Sequence, residues 1–150
     1  MKYPVLSLIP ACLAVAAMAD PTPSQPHDRP PMMQSFEDLK WMKLPERPGM
    51  QFSVLTGDPG VGPYTQVRKV AAGTNNPLHS HSSSITNVII RGVWYTGADE
   101  ATAKDFGPGS VIFMPAGWLH VSGCRSGSEC VFYQQGDGKF DFKPASTSPK

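Results

Sequence analysis

The sequence predicts an all-β domain, a small sandwich or barrel, and three observations predict it. Sixteen prolines and fourteen glycines in 150 residues interrupt the chain too often for long helices and suit short strands joined by tight turns. Between these interruptions lie roughly six to eight runs rich in β-branched and aromatic residues, among them QFSVLTGD, YTQVRKVAAG and TNVIIRGVWYTG. Almost no 3.6-residue apolar period runs through them. The length fits one domain with a single core. Thirteen Lys and Arg against twelve Asp and Glu give neither a basic stripe for nucleic acid nor an acidic interaction tail.

In chain order, MKYPVLSLIPACLAVAAMAD carries Lys2, an apolar run from Val5, and small residues at Ala17 and Ala19. This is the pattern of a secretory signal peptide over residues 1–19, cleaved after Ala19. The apolar run is about 15 residues, short of the roughly 20 that span a bilayer. An uncleaved anchor and a lipoprotein site at Cys12 compete with this reading, and Pro10 counts against the second. Cleavage removes Lys2, leaves a near-neutral chain with no membrane span, and places it in the periplasm or outside the cell. Residues 20–34 open with DPTPSQPHDRPP, whose five prolines suit an extended linker of polyproline II character, open to protease. His27 falls there and is expected to be solvated.

The folded domain is expected over residues 35–145. SFEDLKWMKLPERPG could hold one helical turn near Phe36–Trp41. Strands follow in QFSVLTGD, YTQVRKVAAG, LHSH, TNVIIRGVWYTG, SVIFMPAG, WLHVSGC, CVFYQQGDG and KFDFKP. The turns PGVGP, TNNP and Pro-Ala-Gly, and the polar connection ADEATAKDFGPG, separate several of them. No internal repeat is visible.

His79, His81 and His120 are the histidines left for this domain. Residues i and i+2 of a strand share a face, so His79 and His81 can converge on one point. Alone the pair is weak, because a single histidine is more often a surface residue or a satisfied polar group. Its context is more specific. Five residues separate Gly73 from His79, and Gly92 follows. A second block runs Gly109, five residues, Pro115, one residue, Gly117, two residues, His120.

These two blocks resemble the paired signature motifs of the cupin superfamily, and the resemblance covers roughly residues 51–142. It implies a cupin-type double-stranded β-helix, a small jelly-roll barrel, with a metal held inside by His79, His81 and His120. It also implies pairing through sheet edges into a homodimer. Two positions depart from the pattern. The acidic ligand of the first motif falls on Ile85 or Thr86, and the asparagine of the second is Cys124. The spacing looks like that of small bacterial cupins lacking the glutamate. Three imidazoles with an open position are the usual form of a catalytic metal site. Zinc or iron is the first expectation, and manganese, nickel or copper would also accept the set. With no carboxylate among the ligands, an anionic ligand would be favoured at the open position.

Other residues keep two readings each. Cys124 and Cys130 bracket RSGSE and could close a disulfide in an oxidising compartment, or remain half-buried thiols. Cys124 shares a strand face with His120 and Ser122, so it could also be a soft ligand. Gln66 and Arg68 share one face of their strand, and Thr65 and Val67 the other. Arg68 turned inward would be an anion clamp, whereas a solvated arginine is commoner. Trp94, Phe113, Trp118 and Tyr133 could line a cavity or simply fill the core. The function these residues favour is binding, and transformation, of a small organic molecule at the metal. The alternatives are a non-enzymatic module that binds or senses a metal or small ligand, and a barrel that no longer binds metal. No residue is assigned a catalytic role.

Overall fold

The structure, a computed structural model, describes residues 30–146. The expected signal peptide, residues 20–29 of the expected linker with His27, and residues 147–150 lie outside the described residues. A compact unit begins at Gln34.

Eleven strands make up the unit's regular structure: β1 (Met42–Lys43), β2 (Met50–Gly57), β3 (Tyr64–Val70), β4 (Asn75–Ser80), β5 (Ile85–Arg91), β6 (Trp94–Gly97), β7 (Lys104–Phe106), β8 (Val111–Met114), β9 (His120–Cys124), β10 (Cys130–Gly136) and β11 (Lys143–Pro144). No described residue is helical. The strands form two antiparallel sheets, ordered β1-β2-β3-β10-β5-β8 and β11-β4-β9-β6-β7. This is the all-β cupin-type jelly roll that the motifs implied. The helical turn expected near Phe36–Trp41 is instead one tight turn, in which Asp38 N donates to Ser35 O at 3.2 Å and Leu39 N to Phe36 O at 3.4 Å. The segment stays short because its apolar residues are drawn onto a sheet.

The main core is built from Met50, Val70, Ile85, Ile89, Trp94 and Phe132, with further residues of both sheets. A second cluster joins Leu39, Val67 and Val131, with Phe36, Trp41 and Leu55 packed against it. Strand alternation explains why there are two. Val67 turns to the face covered by the Phe36–Trp41 segment, so Gln66 and Arg68 turn to the other. Lys69 follows Val67 by two residues, and its Nζ lies 3.8 Å from the Trp41 ring centroid.

All four motif glycines, Gly73, Gly92, Gly109 and Gly117, have positive φ, and two of them bear directly on the site. Gly92 has φ of 79°, and a Cβ there would meet Glu129 O at 2.6 Å. Gly117 has φ of 76°, and its N donates to His81 O at 2.8 Å, tying the turn before β9 to the end of β4. Cys124 and Cys130 form a disulfide, with Cα atoms 5.8 Å apart, that closes the β9–β10 connection. That pairing removes Cys124 as a metal ligand.

Candidate metal centre

β4 and β9 are neighbours, and His79 stands opposite His120 in their register. The turn through Gly117 therefore brings His120 beside His79 in the same sheet. His81 follows just after β4, two residues on, and points the same way. The ring centroids are 5.0 Å apart for His79 and His81, 4.2 Å for His79 and His120, and 5.3 Å for His81 and His120. One ring nitrogen of each lies within 4.8 Å of the others.

Each ring is held in the same manner. His79 Nδ1 is 2.7 Å from Pro77 O, His81 Nδ1 is 2.5 Å from Asp141 O, and His120 Nδ1 is 3.0 Å from Trp118 O. A carbonyl only accepts, so each Nδ1 must carry the proton and each Nε2 is left as a free lone pair. This is the outer-shell arrangement that fixes the tautomer of a metal-binding imidazole. Each ring also packs on an aromatic side chain: Phe142 on His79 at 4.2 Å, Phe140 on His81 at 5.4 Å, and Trp118 on His120 at 4.9 Å. Burial, aided by the neighbouring His120, His81 and Arg47 and opposed by the hydrogen bond to the Pro77 carbonyl, lowers the pKa of His79 to about 3. Burial likewise lowers His81 to about 4, and it lowers His120. The three imidazoles are neutral at pH 7, the form that binds metal. The donor set therefore fits a divalent ion.

No described residue supplies the missing carboxylate. Ile85 is in the core, and Thr86 pairs across strands with Phe113 on the other face. The next inward side chain of β5 is Asn87, whose Oδ1 accepts from Gln134 Nε2 at 3.0 Å. Gln134 Oε1 in turn accepts from Gln66 Nε2 at 2.7 Å and from Tyr64 OH at 3.1 Å. A neutral amide network thus stands in the interior beside the position of the missing acid.

The histidines line a cavity of about 40 Å³ together with Arg68, Asn87, Trp94 and Gln134. Arg68 is inside, against the commoner expectation, because Val67 is claimed by the outer cluster. Arg47, Arg68, Phe140 and Phe142 also line an adjoining vestibule of about 640 Å³. Of the four aromatic candidates, Trp94 lines the cavity and Trp118 packs on His120. Phe113 is 61% exposed and Tyr133 alternates with inward-facing Phe132 and Gln134, so both turn outward. The sequence motifs do not single out Arg47, Phe140 or Phe142. For the phenylalanines a signal existed, the alternation in KFDFKP.

A family model described as the ChrR cupin-like domain matches residues 30–139. No curated protein matches the chain. Among solved structures, the polyketide cyclase RemF from Streptomyces resistomycificus is 20% identical with a TM-score of 0.62, over 79% of this chain and 89% of that one. An RmlC-like cupin from Ralstonia eutropha JMP134 is also 20% identical, with a TM-score of 0.60 over 72% and 69%. The complex of Rhodobacter sphaeroides SigE with the anti-sigma ChrR gives 19% identity and a TM-score of 0.54, over 69% of this chain and 51% of that one. At these identities the structures speak for the fold alone.

Proposed function

Since the chain belongs to the ChrR cupin-like family of the cupin superfamily, we propose that it is an exported cupin whose His79, His81 and His120 hold a divalent metal ion. On this reading it binds, and transforms, a small organic molecule there. One observation carries the reading: each of the three clustered rings has its Nδ1 committed to a backbone carbonyl, which leaves three neutral Nε2 donors. A bound metal would supply Lewis acidity at the open position. The residues of this chain would bind and orient the ligand. The vestibule offers it access, and Phe140, Phe142 and Trp118 keep water from the outer side of the imidazoles.

Zinc or iron remains the first expectation, by ligand type. The test is metal analysis of protein purified from its native compartment, together with sequencing of its N-terminus. About one ion per chain and an N-terminus at Asp20 are expected. Metal far below that ratio would overturn the centre, and an intact Met1 would overturn cleavage.

A second reading, a non-enzymatic module that binds or senses a metal or small ligand, is favoured by the size of the inner cavity, about 40 Å³. An anti-sigma ChrR is also among the structural neighbours. Loaded protein that binds ligands but never converts them would favour it.

A further inference from the structure

Arg68 is 6% exposed and lines the cavity that holds the three histidines. Its Nε has no hydrogen-bond partner, and its guanidinium makes only a 3.9 Å approach to Met50 Sδ. The Phe140 ring centroid lies 4.8 Å from its Cζ. Burial lowers its pKa to about 10, so it is still protonated at neutral pH. Arg47 stands at the rim, bonded through Nη2 to Asn76 Oδ1 and 4.0 Å from the Phe142 ring centroid. Among the described residues neither arginine makes an ion pair.

The vestibule contains two acids, Glu46 and Asp141. Asp141 accepts from Ser82 N at 2.7 Å and lies 3.6 Å from Lys143 Nζ. Glu46 forms no ion pair with either arginine. No acid lines the inner cavity. A buried guanidinium without a counter-charge is costly, and a divalent ion on neutral imidazoles would make the excess of positive charge larger.

We propose that Arg68, assisted by Arg47, is a clamp for the carboxylate of a small organic acid, held beside the open position of the three-histidine centre. The proposal rests on the metal-centre reading for its second anchor, while the clamp itself can be detected without metal. Space sets the size of the acid. A water needs about 10–15 Å³ of such volume, so the inner cavity of about 40 Å³ admits a head group and little more. The vestibule of about 640 Å³ is in the range of small-molecule sites and takes the body. A planar carboxylate meets the guanidinium fork through two parallel hydrogen bonds. Tetrahedral phosphate brings more bulk to an inner cavity of only about 40 Å³.

Calorimetric titration with acetate, succinate and benzoate, each beside its neutral amide, tests this. Zinc-loaded and metal-free protein are compared in chloride-poor buffer. At least one acid should bind about tenfold or more tighter than its amide, as expected for charge-assisted hydrogen bonds. Arg68→Gln should remove that preference while zinc affinity stays within a few fold. Arg68→Lys, which keeps the charge but loses the fork, should weaken the acid without abolishing its binding. Acids and amides behaving alike in the wild type would overturn the clamp, whether or not the variants fold. So would a preference that survives Arg68→Gln, or phosphate binding as tightly as the best carboxylate. A carboxylate preference in protein that takes no zinc would support the clamp and remove the metal centre, so the two readings fail separately.

Discussion

The three histidines are arranged as a divalent ion would require. Their protons are on Nδ1, each accepted by a carbonyl, and burial disfavours the second proton that would block Nε2. The consequence is a distinctive pH dependence. An ordinary histidine, with a pKa near 6.5, begins to lose metal to protons just below neutrality. Here His79 and His81 stay neutral to about 3 and about 4. Zinc affinity, measured by competition with a chelator, should fall less steeply from pH 7.5 to 5.5 than for ordinary imidazoles, and proton release on binding at pH 6 should stay below about one per chain. Release of about one proton or more per chain at pH 6 would show that the imidazoles titrate normally. Stability of the metal-free protein carries the opposite face of the same shift. Each folded pKa lies below the unfolded value, so between the two the unfolded state binds more protons. The contribution of these groups is complete above about pH 6.5 and is lost as the pH falls toward 4. Urea midpoints of the metal-free protein should decline over that window and not above it.

Elements place the residues, and their glycines and turns can be tested apart from the metal. Gly92 and Gly117 both have positive φ, but only at Gly92 would a Cβ run into backbone. Gly117→Ala should cost about 1–2 kcal/mol, the price of a left-handed non-glycine residue. Gly92→Ala should cost clearly more, because the β5–β6 bend cannot move away from Glu129 and Cys130. Equal losses in urea unfolding would mean that conformation alone is felt at both. The disulfide is a third element-scale test. Its short loop constrains the unfolded chain, and replacing both Cys124 and Cys130 by serine should cost about 2 kcal/mol, read from the same unfolding curves. The sequence announces much at this scale because the signals are local. His79 and His81 share a face by parity, and Gly73, Gly92, Gly109 and Gly117 mark the turns that carry the motif. What it leaves open is phase. Alternation says that Arg68 and Val67 face opposite ways, but which way is inward depends on Phe36, Leu39 and Trp41, about thirty residues earlier in the chain. The same ambiguity put Phe113 and Tyr133 among the cavity candidates and left out Phe140 and Phe142. Those two reach the histidines only because β11 pairs with β4.

At the scale of the whole molecule, the question is how far the fold would depend on a bound metal. The core joins both sheets through buried apolar residues such as Val70, Ile85, Ile89 and Phe132, and a second cluster seals the outer face of the larger sheet. The disulfide adds a covalent constraint at Cys124 and Cys130. None of these needs an ion, so the metal-free barrel should stay folded, unlike a zinc finger. Metal still stabilises any native state that it binds selectively, by RT ln(1 + [L]/Kd), or about 2.7 kcal/mol at a hundredfold excess over Kd. For a domain of this size that corresponds to a rise of roughly 10 °C in Tm. His120→Ala removes one of three donors and should abolish most of the rise while leaving a cooperative melt. Wild type and variant are each melted with and without zinc. Equal shifts in both proteins would mean that His120 is not a ligand. Collapse of the wild type on chelation would mean that the core is not self-sufficient. A zinc-dependent shift in the wild type alone, over an apo-barrel that melts cooperatively in both, would separate the work of the two sheets from that of the centre they position.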